Sequence, residues 1–190
     1  MIATVELQFI EDRKVGIGIG ERRFFARALL LQFLEGIILE TNYYIFITNN
    51  AGLETQVSAS HIVATLTTNG FWLTYGRAPY RKLYKRGDKV LFYVAGKGAR
   101  YFAGNAEIAG PLAEASDDEI LLANDLGLDG FNERIPLEAV HFWKEPVPIA
   151  PLIENLAFIK DKKNYGLHFR QAAARIGADD YHLILSNTIP

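Results

Sequence analysis

Apolar and polar residues alternate over ATVELQF (3–9), the two-residue period of a half-buried strand. After the turn-like EDRKVGIGIG, the spacing in ERRFFARALLLQF changes to that of a helix, and GIILE closes the segment as a short strand. This strand, glycine loop, helix and strand make a unit of about 40 residues, too small to hold a core of its own. It must pack on the rest of the chain or on a partner, and we treat residues 1–41 as an N-terminal appendage to a domain spanning 42–190.

In the second segment NYYIFITNN predicts a strand with Tyr44, Phe46 and Thr48 on one face and Tyr43, Ile45 and Ile47 on the other. ETQVSASHIVATL fits a helix, and NGFWLTYG follows a turn. YRKLYKRGDKVLFYVAG predicts a basic helical turn, a Gly87-Asp88 corner and a strand, because Gly87 can adopt positive φ and Asp88 can bond the nearby backbone. YFAGNAEIAGPL predicts a strand paired with it as a hairpin. AEASDDE reads as an acidic loop, and RIPLEAVHFWKEPVPIAPLI as a strand ending in a proline-rich turn. HFRQAAARIGADDYHLIL reads as two short helices joined around Gly177. Short, non-repeating strands with helices between and after them predict an α+β fold: a curved sheet or small barrel flanked by helices.

Composition changes this picture little. A chain of 190 residues with 49% hydrophobic and 22% charged content is that of a folded protein. The 12 Phe, 9 Tyr and 2 Trp mostly supply core, yet leave rings to spare for a stacking surface. The absence of cysteine excludes disulfides and thiolate metal sites. His61, His141, His168 and His182 are too scattered for a metal cluster. Glu6, Glu11 and Asp12 stand where a signal peptide needs basic and then apolar residues. ARALLLQFLEGIIL is interrupted by Gln32 and Glu35 and is shorter than the roughly 20 apolar residues that span a bilayer. A soluble, cytoplasmic protein without membrane attachment is the expectation.

The net charge of −2 hides an uneven distribution. Arg77, Arg81, Lys82, Lys85, Arg86, Lys89, Lys97 and Arg100 face Asp88 alone, and the stretch from Glu107 to Glu154 is acidic. Lys160, Lys162, Lys163, Arg170 and Arg175 then restore positive charge. Two basic segments folded into one positive face would suit a phosphate-contacting surface, whereas separately each would be an ordinary solvated face.

The order NYYIFITNN, GFWLTYG, GDKVLFYV, YFAGNAEIAGPL and FIKDKKNYGLHFR with ADDYHLI resembles the EVE domain family over residues 42 to about 186. FIKDKKNYGLHFR is its most specific element, close to a FIKNKKxW pattern. The related YTH domains, readers of methylated adenine in RNA, show a similar progression. The resemblance implies a PUA-like mixed β-barrel of about five to six strands flanked by short helices, with a pocket for a flipped or unpaired base, most often a modified one. Two departures matter. Ala95 stands where members often carry a small hydroxyl residue, and Tyr44 and Tyr165 stand where many have Trp.

From the resemblance, Trp72 is the first choice for stacking on the base, the alternative being a core Trp that brackets the barrel; Trp143 is read as core. Tyr44 and Tyr165 are candidate further walls. Thr48, Asn49, Thr74, Asn105 and Asn164 lie near the matched motifs and could read the base edge, since amides present a donor and an acceptor side by side. Asn49 and Asn164 serve equally well as turn residues. Arg77, Arg81, Lys82, Lys85 and Arg86, extended by Lys160, Lys162 and Lys163, are the candidate phosphate contacts.

The expected function is therefore a nucleic-acid-binding module for DNA or RNA carrying a modified, methylated base, without cofactor or metal. No paired carboxylates, nucleophile-base pair or metal-ligand spacing points to an enzyme. Two alternatives stay open. Gly16, Gly18 and Gly20 ahead of a helix could hold an anion and faintly resemble the pyrophosphate-binding segment of acetyl-CoA-dependent acetyltransferases. The same pocket could instead take a small, nucleoside-like molecule. The appendage is also read as a barrel cap or a homodimer contact.

Overall fold

The structure, a computed structural model, describes residues 41–52, 56–96 and 98–188, within a unit running from Thr41 to Pro190. Its elements are β1 (Tyr43–Thr48), α1 (Ala59–Thr68), β2 (Phe71–Thr74), β3 (Lys89–Gly96), β4 (Ala99–Ile108), β5 (Ala113–Glu114), α2 (Asp117–Asp125), β6 (Glu133–Pro148), β7 (Ala173–Ile176) and α3 (Ala178–Leu185). Single 3-10 turns occupy Ala150–Leu152 and Tyr165–Phe169. The readings placed on residues 1–40, among them the strand-helix-strand unit, the glycine series and the dimer contact, lie outside the described residues.

The strands form one seven-stranded mixed sheet in the order β2-β6-β4-β3-β1-β7, with β5 also on β6. β1 and β3 run parallel, Phe46 opposite Phe92, and β4 returns antiparallel on β3 as the hairpin spacing predicts. β6 turns the corner of the sheet. Its first residues pair with β2, Trp72 opposite Ile135, and the rest pairs with β4 from Leu137 onward. The bend falls at Ala139, whose φ of 48° is rare for a residue with a Cβ. The β4–β6 register shifts beside it. Gly104 permits the close approach of these two strands, because a Cβ there would lie 2.3 Å from the His141 carbonyl oxygen.

Both faces of β1 and β3 are covered, which is why YYIFIT and VLFYVA are nearly continuous apolar runs. Tyr44, Phe46, Val90 and Phe92 face α1, whose Ile62, Val63 and Leu66 join Trp72 and Ile135 in one core. Ile45, Leu91, Tyr93 and Phe102 face the opposite way, against Leu156, Ile159, Phe169, Tyr181 and Ile184. The predicted parity of β1 holds.

Buried carboxylates fasten the ends. Asp88, with no exposed surface, accepts from the Asn42 backbone N–H at 2.9 Å and the Lys85 N–H at 3.1 Å. Asp180, 4% exposed, accepts from the Ala157 and Phe158 N–H groups at 2.6 and 2.9 Å. Each replaces lost hydration with fixed donors, the condition for burying a charge.

The expected α+β fold stands, its sheet reaching seven strands with the two-residue β5. Three sequence readings need correction. AAARI is not a helix: Ala173–Ile176 is β7, paired antiparallel with β1. Its alanines favour helix, but filling the open edge of β1 satisfies two rows of backbone groups, and tertiary context overrides propensity. Gly177 consequently opens α3 instead of joining two helices. The acidic segment is not a loop. Ala113–Glu114 bridges β6, and Ser116 starts α2 with a full capping box, its hydroxyl accepting from Glu119 N–H while the Glu119 carboxylate accepts from Ser116 N–H. Helix α1 begins at Ala59, behind the N-cap Ser58, later than the apolar spacing suggests.

Candidate nucleic-acid interface

Beyond the end of β1 the chain turns away through Asn49 and Asn50, and a cavity of about 300 Å³ opens there. Its walls come from five places: Thr48 and Asn49 at the end of β1, Ile62 and Leu66 of α1, Trp72 and Tyr75 around β2, Leu128 and Phe131 after α2, and Arg170 and Gln171 before β7. Two contacts set its shape. The Asn50 side-chain oxygen accepts from Ala59 N–H at 2.9 Å, tying the loop to the first turn of α1 and leaving the amide NH₂ as a donor. Gly127, at φ +71°, lets the chain after α2 lie against Gly52, where a Cβ would come within 2.5 Å of the Gly52 nitrogen. Glycine is the residue that fits both demands.

The structure brings Trp72, Thr48 and Asn49 together at this cavity. Trp72, however, is 6% exposed and stacks on Phe46 and Phe92 with centroids 5.3 and 5.4 Å away. Such burial leaves no open ring face, so Trp72 forms a wall and not a platform for a base. The accessible rings are Tyr75 and Phe131, both half-buried, edge to face at 5.1 Å. Neither belongs to the sequence-predicted set. Tyr75 lies three residues past Trp72 and Phe131 in the remote segment after α2, so no spacing signals the pair.

Tyr165 is placed at a second cavity, of about 550 Å³, lined also by Tyr93, Ala95, Gly96, Arg100, Phe169 and, in common with the first, Asn49 and Arg170. The Arg100 Nη1 donates to the Tyr165 hydroxyl at 2.9 Å. This bond helps hold the guanidinium pKa above its ordinary value.

The other predicted base contacts lie elsewhere. Tyr44 is wholly buried against Tyr84, 4.9 Å between centroids. Its hydroxyl has no partner among the described residues, and burial, reinforced by Asp88, raises its pKa. Thr74 is buried on β2 opposite Glu133. Asn105 accepts from the Trp143 indole N–H at 2.9 Å. Asn164 caps a turn on Asp161, donating from backbone and side chain at 3.0 and 2.8 Å, and these bonds lower the Asp161 pKa.

None of the eight predicted phosphate contacts lines either cavity. Arg81 is committed to Glu133 through paired nitrogens and oxygens, and Arg86 reaches Glu138 at 3.6 Å. Lys162 donates to the Ile153 and Leu156 carbonyls at 2.8 and 2.7 Å, which makes it a clasp for its own loop. Lys82, Arg77, Lys160 and Lys163 are exposed and Lys85 half-buried, outside the cavities. The guanidiniums at the cavities are Arg100 and Arg170, and neither meets a carboxylate among the described ion pairs.

A mixed sheet bent through a corner strand, covered on both faces and hollowed at the end of its first strand, is a PUA-like α+β domain. Sequence comparison then places it: residues 42–187 match the EVE domain, and the chain belongs to that family. Among solved structures it is similar to human THYN1 in complex with DNA containing 5-methylcytosine, at 15% identity and TM-score 0.52, over 79% of this chain and 100% of that one. It is also similar to the YTH domain of Zygosaccharomyces rouxii MRB1 in complex with N6-methyladenosine RNA, at 17% identity and TM-score 0.52, over 77% and 86%. A Leishmania major protein of unassigned role matches at 17% identity and TM-score 0.50, over 77% and 94%. No curated protein matches the chain by sequence. Among the described residues no helix is long and apolar enough to cross a membrane.

Proposed function

We propose that this domain is a nucleic-acid-binding module that takes one unpaired base, carrying a methyl group, into the cavity beyond β1, and that it binds without chemistry. The observation that carries this reading is the pairing of half-open aromatic rings, Tyr75 and Phe131, with Arg170 on the same rim. The volume of about 300 Å³ falls at the lower end for small-ligand pockets, which suits one base better than a large cofactor. Stacking on an aromatic face contributes roughly 1–3 kcal/mol per base. A methyl group buried among Ile62, Leu66 and Leu128 adds about 0.8 kcal/mol. Thr48, Asn49 and the amide NH₂ of Asn50 supply the polar groups that distinguish one base edge from another. Membership of the EVE domain family supports the reading, as do the methylated DNA and RNA held by the two structural relatives.

Arg170 neutralises backbone phosphate and positions the strand, as guanidiniums do without reading sequence. The exposed Arg77, Lys82, Lys160 and Lys163 add a diffuse attraction.

Fluorescence anisotropy with short single-stranded and duplex DNA and RNA, unmodified or carrying N6-methyladenine or 5-methylcytosine, tests the proposal. One modified single strand is expected to bind best. Tyr75→Ala should weaken it by about 5- to 150-fold, the equivalent of one lost stack, and Arg170→Ala should lower the log-log salt slope by about 0.7, as one lost phosphate contact does for a single strand. Equal affinity for modified and unmodified strands, unchanged by Tyr75→Ala, would overturn it.

A further inference from the structure

The second cavity holds a feature that the base-binding reading does not use. Tyr93 is 1% exposed, its ring stacked on Phe169 at 4.1 Å, and it borders a cavity that the base does not fill. The residue lines the cavity of about 550 Å³ together with Arg100, Tyr165 and Arg170. A tyrosine hydroxyl is a neutral phenol at neutral pH, and burial, helped by Tyr165 and opposed by Arg100, pushes the Tyr93 pKa further up, so the group can donate. One neutral donor and two guanidiniums that meet no carboxylate among the described residues make a site for an anionic oxygen.

The placement of this site matters as much as its chemistry. Asn49 and Arg170 border both cavities. A group bound in one therefore abuts a group bound in the other, with Arg170 between them. Tyr165, half-buried and fixed by the Arg100 hydrogen bond, offers a ring to whatever enters.

We propose that the second cavity receives the nucleotide adjoining the recognised base in the same strand, the linking phosphate lying at Arg170 and the second unit being held by the Tyr93 hydroxyl, Arg100 and Tyr165. The minimal ligand is thus a dinucleotide. This rests on the base-binding reading above and extends it.

Isothermal titration calorimetry of the full chain with N6-methyladenosine, its 5′- and 3′-monophosphates, and the dinucleotides that carry one further nucleotide on either side tests it; the 5-methyldeoxycytidine series runs in parallel. Wild type should bind one dinucleotide at least about tenfold more tightly than the nucleoside. Tyr93→Phe, which keeps the ring and its stack, should remove about tenfold of that gain, the worth of a hydrogen bond to a charged acceptor. Arg100→Gln should remove a similar amount, and both variants should leave nucleoside affinity unchanged. If the nucleoside binds and the variants bind the dinucleotide as wild type does, the second subsite is refuted and the base cavity stands. If a monophosphate recovers the whole gain, the cavity is a phosphate pocket and the second-nucleotide proposal fails. If wild type binds neither nucleoside nor dinucleotide, both proposals fail.

Discussion

Trp72 shows how one residue's role turns on burial instead of residue type. The indole that would make the strongest stacking platform is spent on Phe46 and Phe92, joining β2 to the central strands, and Tyr75, three residues on, keeps its ring half open at the cavity. Gly127 illustrates the same principle for backbone. Its φ of +71° and its contact with Gly52 hold one wall of the base cavity in place. Gly127→Ala should cost about 1–3 kcal/mol from the strained backbone conformation, seen as a lower urea midpoint. Oligonucleotide affinity should fall with it, because Ala51 and Gly127 both line the cavity. An unchanged midpoint would mean that the Gly52 loop yields freely and shapes nothing. Burial raises the Tyr93 pKa, and its phenol borders the second cavity as a hydrogen-bond donor.

At the level of elements, the segment FIKDKKNYGLHFR acts as a brace. Lys162 closes it on the Ile153 and Leu156 carbonyls, Asp161 caps its turn through Asn164, and Phe158 and Phe169 meet at 5.8 Å beneath β3. Lys162→Met should therefore lower unfolding free energy by about 1.5–3 kcal/mol, the range for hydrogen bonds to a charged group, and leave the salt slope of oligonucleotide binding unchanged. A lower slope with full stability would return Lys162 to the phosphate track. β1, the β3–β4 hairpin and the Gly87-Asp88 corner were legible in the sequence because their signals are local: alternation, turn chemistry and β-branched or aromatic runs. The capping box at Ser116 and Glu119 was equally local, and reading its acidic residues as a loop overlooked it. β7 was not legible, since nothing in AAARI announces that β1 has an open edge.

Across the whole domain, the two cores place the two cavities. One core ends beneath Trp72 and the other beneath Tyr93 and Phe169, so hollows open on both sides of the last residues of β1, and Asn49 and Arg170 form the ridge they share. Family and fold class were readable from the order of five motifs, because that order follows the chain. The site was readable only in part. Thr48, Asn49, Trp72 and Tyr165 reach the cavities, whereas Tyr75, Phe131, Arg100 and Arg170 converge on them from separated stretches that only the folded sheet brings together. The basic run from Arg77 to Arg86 promised a phosphate track by charge density, yet Arg81 and Arg86 are drawn to Glu133 and Glu138. The most direct test of base capture is an NMR titration of protein labelled with ¹⁵N throughout and with ¹³C in its Tyr and Phe rings, using a single-stranded oligonucleotide carrying one methylated base. The expected result is large, saturable shifts of the Tyr75 and Phe131 ring signals at the first equivalent. Shifts confined to the backbone amides of residues 77–89, with both rings unmoved, would contradict the account.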